Sequence, residues 1–411
     1  MTARWIWIPM IVLAMAGSLF AKTYTLGSTG FEMSGDISIV FRELDKDTQL
    51  NTNSRGDDPY NNVRARLFFQ KAWTETIDLY LEFLWDVGAP ARIQGAYLTF
   101  YDLWTESLAL KVGMIPSPFG NYGHRSTYFN QNALIGVPAM WLTETPLKTN
   151  GSTHNEDLFP YGPAGLGGVY AGGYDSCWDY GMNLMFQRGI VEAQLAWTLA
   201  VLSSPYAMTN DGYQGILNLG LHPITGLRFG GSVAYGPWIT GSAEIHEYDP
   251  TGNYAASSVA GLTPTRSTSA TYGDAVDPEE FMQTAIGGYA EYSFGLFQFF
   301  GEFMTMTWET PYIYEEELTA NSAYLEGIWK FVPGWEFASR FDRTWYSEIA
   351  PLNDGTGEEL PWAPDFSRFE AAVGYRIIRE GFIRLDYQHT MFDSDQMEDV
   401  DLLALQFLFA F

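Results

Sequence analysis

The chain has 411 residues, 46% of them hydrophobic and 16% aromatic. No linker, low-complexity tract or composition shift divides it, so it reads as one large unit. A formal net charge of −27 argues against a nucleic-acid partner, and the lone Cys177 excludes a disulfide framework and a thiolate metal cluster. No metal and no cofactor is expected.

Residues 1–21 have the form of a secretory signal peptide. Arg4 is the only charge, Trp5 to Ala16 is an apolar run, and small residues follow at Ala16, Gly17, Ser18 and Ala21, which places cleavage after Ala21 or Ala16. Beyond residue 21 no apolar stretch is long enough for a membrane helix. A membrane location therefore demands a closed barrel, in which every backbone polar group is paired.

From there the dominant signal is alternation with period two. In 31–41, Phe31, Met33, Gly35, Ile37, Ile39 and Phe41 share one face, and Glu32, Ser34, Asp36, Ser38 and Val40 share the other. In 77–87, Ile77, Leu79, Leu81, Phe83, Trp85 and Val87 oppose Asp78, Tyr80, Glu82, Leu84 and Asp86. Continued along the chain, the pattern predicts sixteen strands, over 31–43, 61–72, 76–87, 92–102, 107–116, 178–188, 189–201, 212–222, 226–236, 281–293, 296–307, 319–331, 335–347, 365–377, 381–391 and 400–411. Each is long enough for a tilted membrane strand of ~9–11 residues. The connections alternate short (72–76, 103–106, 222–226, 332–334, 379–381) and long (44–60, 117–177, 237–280, 308–318, 348–364), with 88–91 a short exception on the long side. This rhythm implies an all-β, transmembrane antiparallel β-barrel over 22–411 with short periplasmic turns and long outer loops. The last strand places Leu403, Leu405, Phe407, Phe409 and Phe411 on one face, and a terminal aromatic residue is the feature that barrel-assembly machinery reads. Outer-membrane lipid and lipopolysaccharide are the expected surroundings.

The other face lines the lumen. Its basic members are Arg42, Arg64, Arg66, Lys111, Arg228, Lys330, Arg340, Arg368, Arg376 and Arg384. Its acidic members include Asp36, Asp78, Glu82, Asp86, Glu192, Glu291, Glu302, Glu326, Asp342, Glu370 and Asp386. Arg66, Lys111, Arg340, Glu82, Glu302 and Glu326 should fall near mid-barrel, where charged rings set ion selectivity. The alternative is cross-strand pairing, for which Glu326 and Arg340 are placed. The segment 117–177, the third outer loop, is too long for a compact external loop. It is expected to fold into the lumen, bringing His124, Arg125, Glu144 and Lys148 to a constriction.

At 108–120 the sequence reads LALKVGMIPSPFG, in which Gly113, Pro118, Phe119 and Gly120 resemble the strand-to-loop signature of the phosphate-selective porin O/P-like family. FEAAVGYRIIR at 369–379, IRLDYQHT and the LLALQFLFAF terminus are similar to late strands of that family. Met114 and Pro116 stand where family members often carry a polar residue and a lysine, so the resemblance implies porin architecture and passive transport without phosphate selectivity. The expected function is a passive diffusion channel for ions and small hydrophilic solutes in the outer membrane. Porins of this size are often trimers, so a homotrimer is considered beside the monomer. A second reading is a barrel sheath around a periplasmic or haem-protein partner. An enzyme is not expected, because His124, His154, His222, His246 and His389 fall in outer loops, a turn and an outward face, with no Ser–His–acid set on one wall.

Overall fold

The structure is a computed structural model. It describes residues 24–26, 29–44, 63–86, 90–123, 132–149, 158, 168–173, 178–204, 211–239, 256–257, 265–266, 278–310, 317–349, 359–394 and 397–411. The signal segment, His124, Arg125, His154, His246 and Cys177 lie outside these residues.

Sixteen long strands form the wall: β1 (Glu32–Leu44), β2 (Val63–Thr74), β3 (Ile77–Asp86), β4 (Arg92–Phe100), β5 (Leu108–Pro116), β6 (Trp178–Arg188), β7 (Val191–Thr198), β8 (Gln214–Ile224), β9 (Leu227–Pro237), β10 (Met282–Phe294), β11 (Phe297–Glu309), β12 (Glu317–Val332), β13 (Trp335–Tyr346), β14 (Phe366–Ile378), β15 (Gly381–Phe392) and β16 (Val400–Ala410). Each pairs antiparallel with its neighbours in sequence. β16 pairs with β1, from Asp36 opposite Ala410 to Leu44 opposite Leu402, which closes the ring. Phe411 continues that seam, since Gly35 and Phe411 exchange both backbone hydrogen bonds at 2.8 Å. Tyr24–Thr25 adds a short pairing to the start of β1.

All sixteen predicted strands are present, with ends displaced by a few residues. The connection expected at 308–318 shrinks to 310–316 because β11 and β12 run further toward each other. His222, expected in a turn, lies inside β8. Two-residue turns at 189–190, 225–226, 295–296 and 333–334 carry Gly189, Gly226, Gly295 and Gly334 at positive φ, the backbone that matches a tight hairpin to strand twist.

Alternation explains the two surfaces. On β13, Trp335, Phe337 and Phe341 face outward and exposed, while Ala338, Arg340, Asp342 and Thr344 are buried inside. The outer face repeats this with Trp85, Met182, Trp197, Leu219, Val233, Ile286, Phe303, Leu325 and Leu385. Such a continuous apolar girdle is stable against hydrocarbon and unfavourable against water. At the short-turn end, Phe294, Phe297, Trp329, Phe331, Trp335 and Tyr375 form a belt of successive ring contacts.

Candidate functional site: the inner wall and the third loop

Glycine is required at two points on the chain's path into the loop, one inside β5 and one just beyond it. Gly113 has φ +134°, and a Cβ there would meet the backbone of Ala96 and Tyr97. Gly120 has φ +66°, and a Cβ would collide with the carboxylate of Glu302. The closely approaching chain is then fixed to the wall of β8–β11. Asn218 Nδ2 donates to the carbonyls of Pro118 (2.6 Å) and Gly120 (3.1 Å). Gly120 N donates to Ser232 Oγ (2.9 Å), and Asn121 N to Glu302 Oε1 (2.7 Å). Asn121 Nδ2 reaches Glu291 Oε2 (3.0 Å), and its carbonyl accepts from the Arg228 guanidinium, which also holds Glu192. Tyr289 OH donates to Asn218 Oδ1 (2.9 Å).

A second anchor lies on β13–β15. Three consecutive strands present carboxylates that accept from loop backbone amides: Ala139 N to Asp342 Oδ1 (2.9 Å), Gly136 N to Glu370 Oε1 (2.8 Å) and Ile135 N to Asp386 Oδ2 (3.0 Å). Arg340 sits among them, contacting Asp342 (3.1 Å), Glu326 (3.4 Å) and Glu370. Ile135 also packs on Val40, Leu402 and Ala404 of β1 and β16. Between the anchors the loop builds its own core. Trp141 packs on Phe119 and Tyr122, in one apolar cluster with Met304, Trp308 and Tyr346 of the wall. Residues 143–147 run antiparallel to 168–171, with Thr145 N on Val169 O (2.8 Å) and Ala171 N on Thr143 O (2.8 Å). Glu144 is buried there and accepts from Tyr170 OH (3.1 Å). Burial raises its carboxyl above the usual range, against the lowering effects of Tyr170 and Lys148.

Several other inward charges are buried in pairs. Arg66 reaches Asp36 (3.4 Å) and Glu82 (3.7 Å), and Tyr80 OH donates to Glu82 (2.8 Å). Arg64 pairs with Asp86 (3.0 Å), and Arg384 with Glu336 (3.5 Å) and Gln406 (3.1 Å). Arg368 Nε donates to Thr390 Oγ1 (3.2 Å). Arg42 is exposed at the long-loop end of β1, and Asp78, Lys111 and Lys148 are half-buried; Lys111, expected near mid-barrel, lies in the row of Thr99 and Asp78 toward the short-turn end, because the register of β3–β5 sets it there. Lys111 differs from the buried arginines: among the described residues it has no carboxylate within ion-pair distance, and its Nζ lies 5.1 Å from the Tyr97 ring centre. His222 contacts Glu192 (2.8 Å), and His389, on the outward face, contacts Asp401 (2.9 Å).

Sequence reasoning passed over Asn121, Asn218 and Ser232, which hold the Pro-Phe-Gly segment. Their trace was present: Asn218 and Ser232 are polar residues at inward positions of otherwise apolar or glycine-rich strands. It also passed over the inner aromatic stack of Tyr80, Tyr97 and Trp178 (Tyr80–Tyr97 centroids 4.9 Å, interplanar 24°).

No family model matches the chain, and no curated protein matches it by sequence. Solved structures match its fold. Outer-membrane expressed OmpT of Vibrio cholerae is 10% identical with a TM-score of 0.54, covering 94% of this chain and 100% of that one. The outer membrane channel DcaP of Acinetobacter baumannii is 9% identical with a TM-score of 0.53, covering 94% and 99%. An anion-selective porin from Comamonas acidovorans is 8% identical with a TM-score of 0.54, covering 93% and 99%. At such identities the shared property is architecture: the chain has the closed sixteen-stranded antiparallel barrel of outer-membrane proteins that include porins.

Proposed function

We propose that the protein is an outer-membrane porin, a passive diffusion channel for ions and small hydrophilic solutes that is narrowed from within by residues 117–177. The observation that carries this reading is the double anchorage of that loop, on β8–β11 through Asn218, Ser232 and Glu302 and on β13–β15 through Asp342, Glu370 and Asp386. A loop fixed along two adjoining arcs of a closed barrel, separated only by β12, sets the aperture between itself and the remaining wall. Export by the N-terminal segment and assembly through Phe411 belong to the same reading. So does a homotrimer, since one similar structure is described as a trimer form of OmpT. The chain's own loop occupies the space that a protein partner inside a sheath would need.

The test is conductance in planar bilayers. The mature chain should give discrete channels, and deleting 121–177 should raise the single-channel conductance severalfold. A correctly folded barrel that never opens would refute the channel, and an unchanged conductance after deletion would remove the loop from its assigned role.

A further inference from the structure

At the short-turn end of β12–β15, away from the loop anchors, two inward bases meet at irregularities in the wall. The β12–β13 register breaks between Trp329 and Val332, and Lys330 lies in that break, its backbone N donating to Leu296 O (2.9 Å). The β14–β15 register breaks just after Arg376, whose backbone N donates to Gly334 O (2.7 Å). A bulge re-aims the side chain it carries, and bulges concentrate at barrel rims and beside functional sites. Lys330 and Arg376 line one cavity of about 370 Å³, together with Leu296, Val332, Glu336 and Phe382 among others.

That volume is at the lower end of the ~300–1,000 Å³ typical of small-molecule sites. The charge balance of its lining is positive. Neither Lys330 nor Arg376 has a carboxylate at ion-pair distance among the described residues. The acid in the lining, Glu336, is engaged by Arg384 at 3.5 Å. Arg376 is also held in place: its guanidinium lies 4.0 Å from the Phe382 ring centre and donates to the Arg379 carbonyl. Beside the two bases, Leu296 and Val332 are exposed apolar side chains. A cation would be repelled here, and a bare inorganic anion would leave the apolar lining in water. An anion with an apolar body satisfies both parts, because its head meets the two charges and its body removes apolar surface from water.

We infer that this cavity binds a small organic anion, its carboxylate at Lys330 and Arg376 and its apolar body over Leu296 and Val332. The inference names a solute class for the proposed channel and rests on that reading for its transport meaning. Binding itself can be tested without transport.

Titrate the full barrel, folded in a non-ionic detergent, with 3-phenylpropionate, 3-phenylpropan-1-ol and acetate by isothermal calorimetry. The alcohol keeps the apolar body without the charge, and acetate keeps the charge without the body. 3-Phenylpropionate should bind at least about tenfold more tightly than either. The double variant Lys330→Gln, Arg376→Gln should abolish its advantage over the alcohol, and Lys111→Gln, which removes an inward base outside this cavity, should leave that advantage in place. Equal affinity for the acid and the alcohol, equal affinity for the acid and acetate, an advantage that survives the double variant, or one lost on Lys111→Gln would overturn the site. If the double variant does not fold, Lys330→Gln alone and the ligand comparison decide. A barrel that binds but never conducts would refute the channel and leave the site standing, and one that conducts without binding would do the reverse.

Discussion

Arg340 shows what a single side chain does in this lumen. It is buried among Glu326, Asp342 and Glu370, all at 1% exposure or less. Attraction there has to offset the loss of hydration of four charged groups, and removing one partner strands the others. Arg340→Met should therefore destabilise the barrel by about 3–5 kcal/mol. Asp342 and Glu370 also hold loop amides, so the loss should extend to the docking of 135–139. The measurement is the urea midpoint of the detergent-folded barrel together with protease sensitivity of the loop; an unchanged midpoint would show that the cluster contributes no net stability. Gly120 illustrates a different residue-level constraint. Its place in the Pro-Phe-Gly signature reflects its positive φ and the closeness of Glu302, a steric reason that holds whatever solute passes.

At the scale of elements, the third loop is a folded unit with a pH response of its own. Glu144 is buried in its short ribbon and its carboxyl is raised, chiefly by burial. A raised carboxyl binds its proton more tightly in the docked loop than in a released one. Docking is thus most stable below the ordinary carboxyl range and loses that contribution as pH rises through the raised value. Protease protection of 132–149 should be greater at pH 4 than at pH 7, and Glu144→Gln should flatten the difference; greater protection at the higher pH in the unmodified chain would contradict this. The strands and the loop also differ in how legible they were. Period-two alternation is imposed by the pleat, so runs such as Ile77–Asp86 announce themselves and err only at their ends. The interior of the loop has no period. Its path is decided by which inward groups of neighbouring strands fall in successive rows, such as Asp342, Glu370 and Asp386, and that follows from registers no local pattern encodes. The inward charges were legible as a set and only partly as pairs: Glu326 with Arg340 could be read from neighbouring strands, whereas Arg66 between Asp36 and Glu82 needed the register of three.

For the whole molecule, net charge and lumen charge are separate quantities. The formal −27 covers the full chain, yet Arg64, Arg66, Arg228 and Arg340 are matched locally by carboxylates, so their fields largely cancel within the wall. Lys111, like Lys330 and Arg376 nearer the short turns, is a described inward base with no carboxylate at ion-pair distance. Lys111→Gln should accordingly move the reversal potential under a salt gradient toward cation selectivity more than Arg66→Gln does. Equal shifts would mean that local pairing does not govern selectivity.

The seam between β1 and β16 has a consequence in time. Gln406 bonds Ser38 at 2.9 Å across 368 residues of sequence, whereas the other wall contacts join strands that follow one another. Hairpins can form early and independently, but this pairing carries the largest loop-closure entropy and favours the end of the folding sequence. Until it forms, β1 and β16 are two bare edges, each able to capture a strand of another molecule. The interval before closure is therefore the most aggregation-prone stage of this protein's life, and a chaperone that shields those two edges would protect it more than one that shields any other part of the wall.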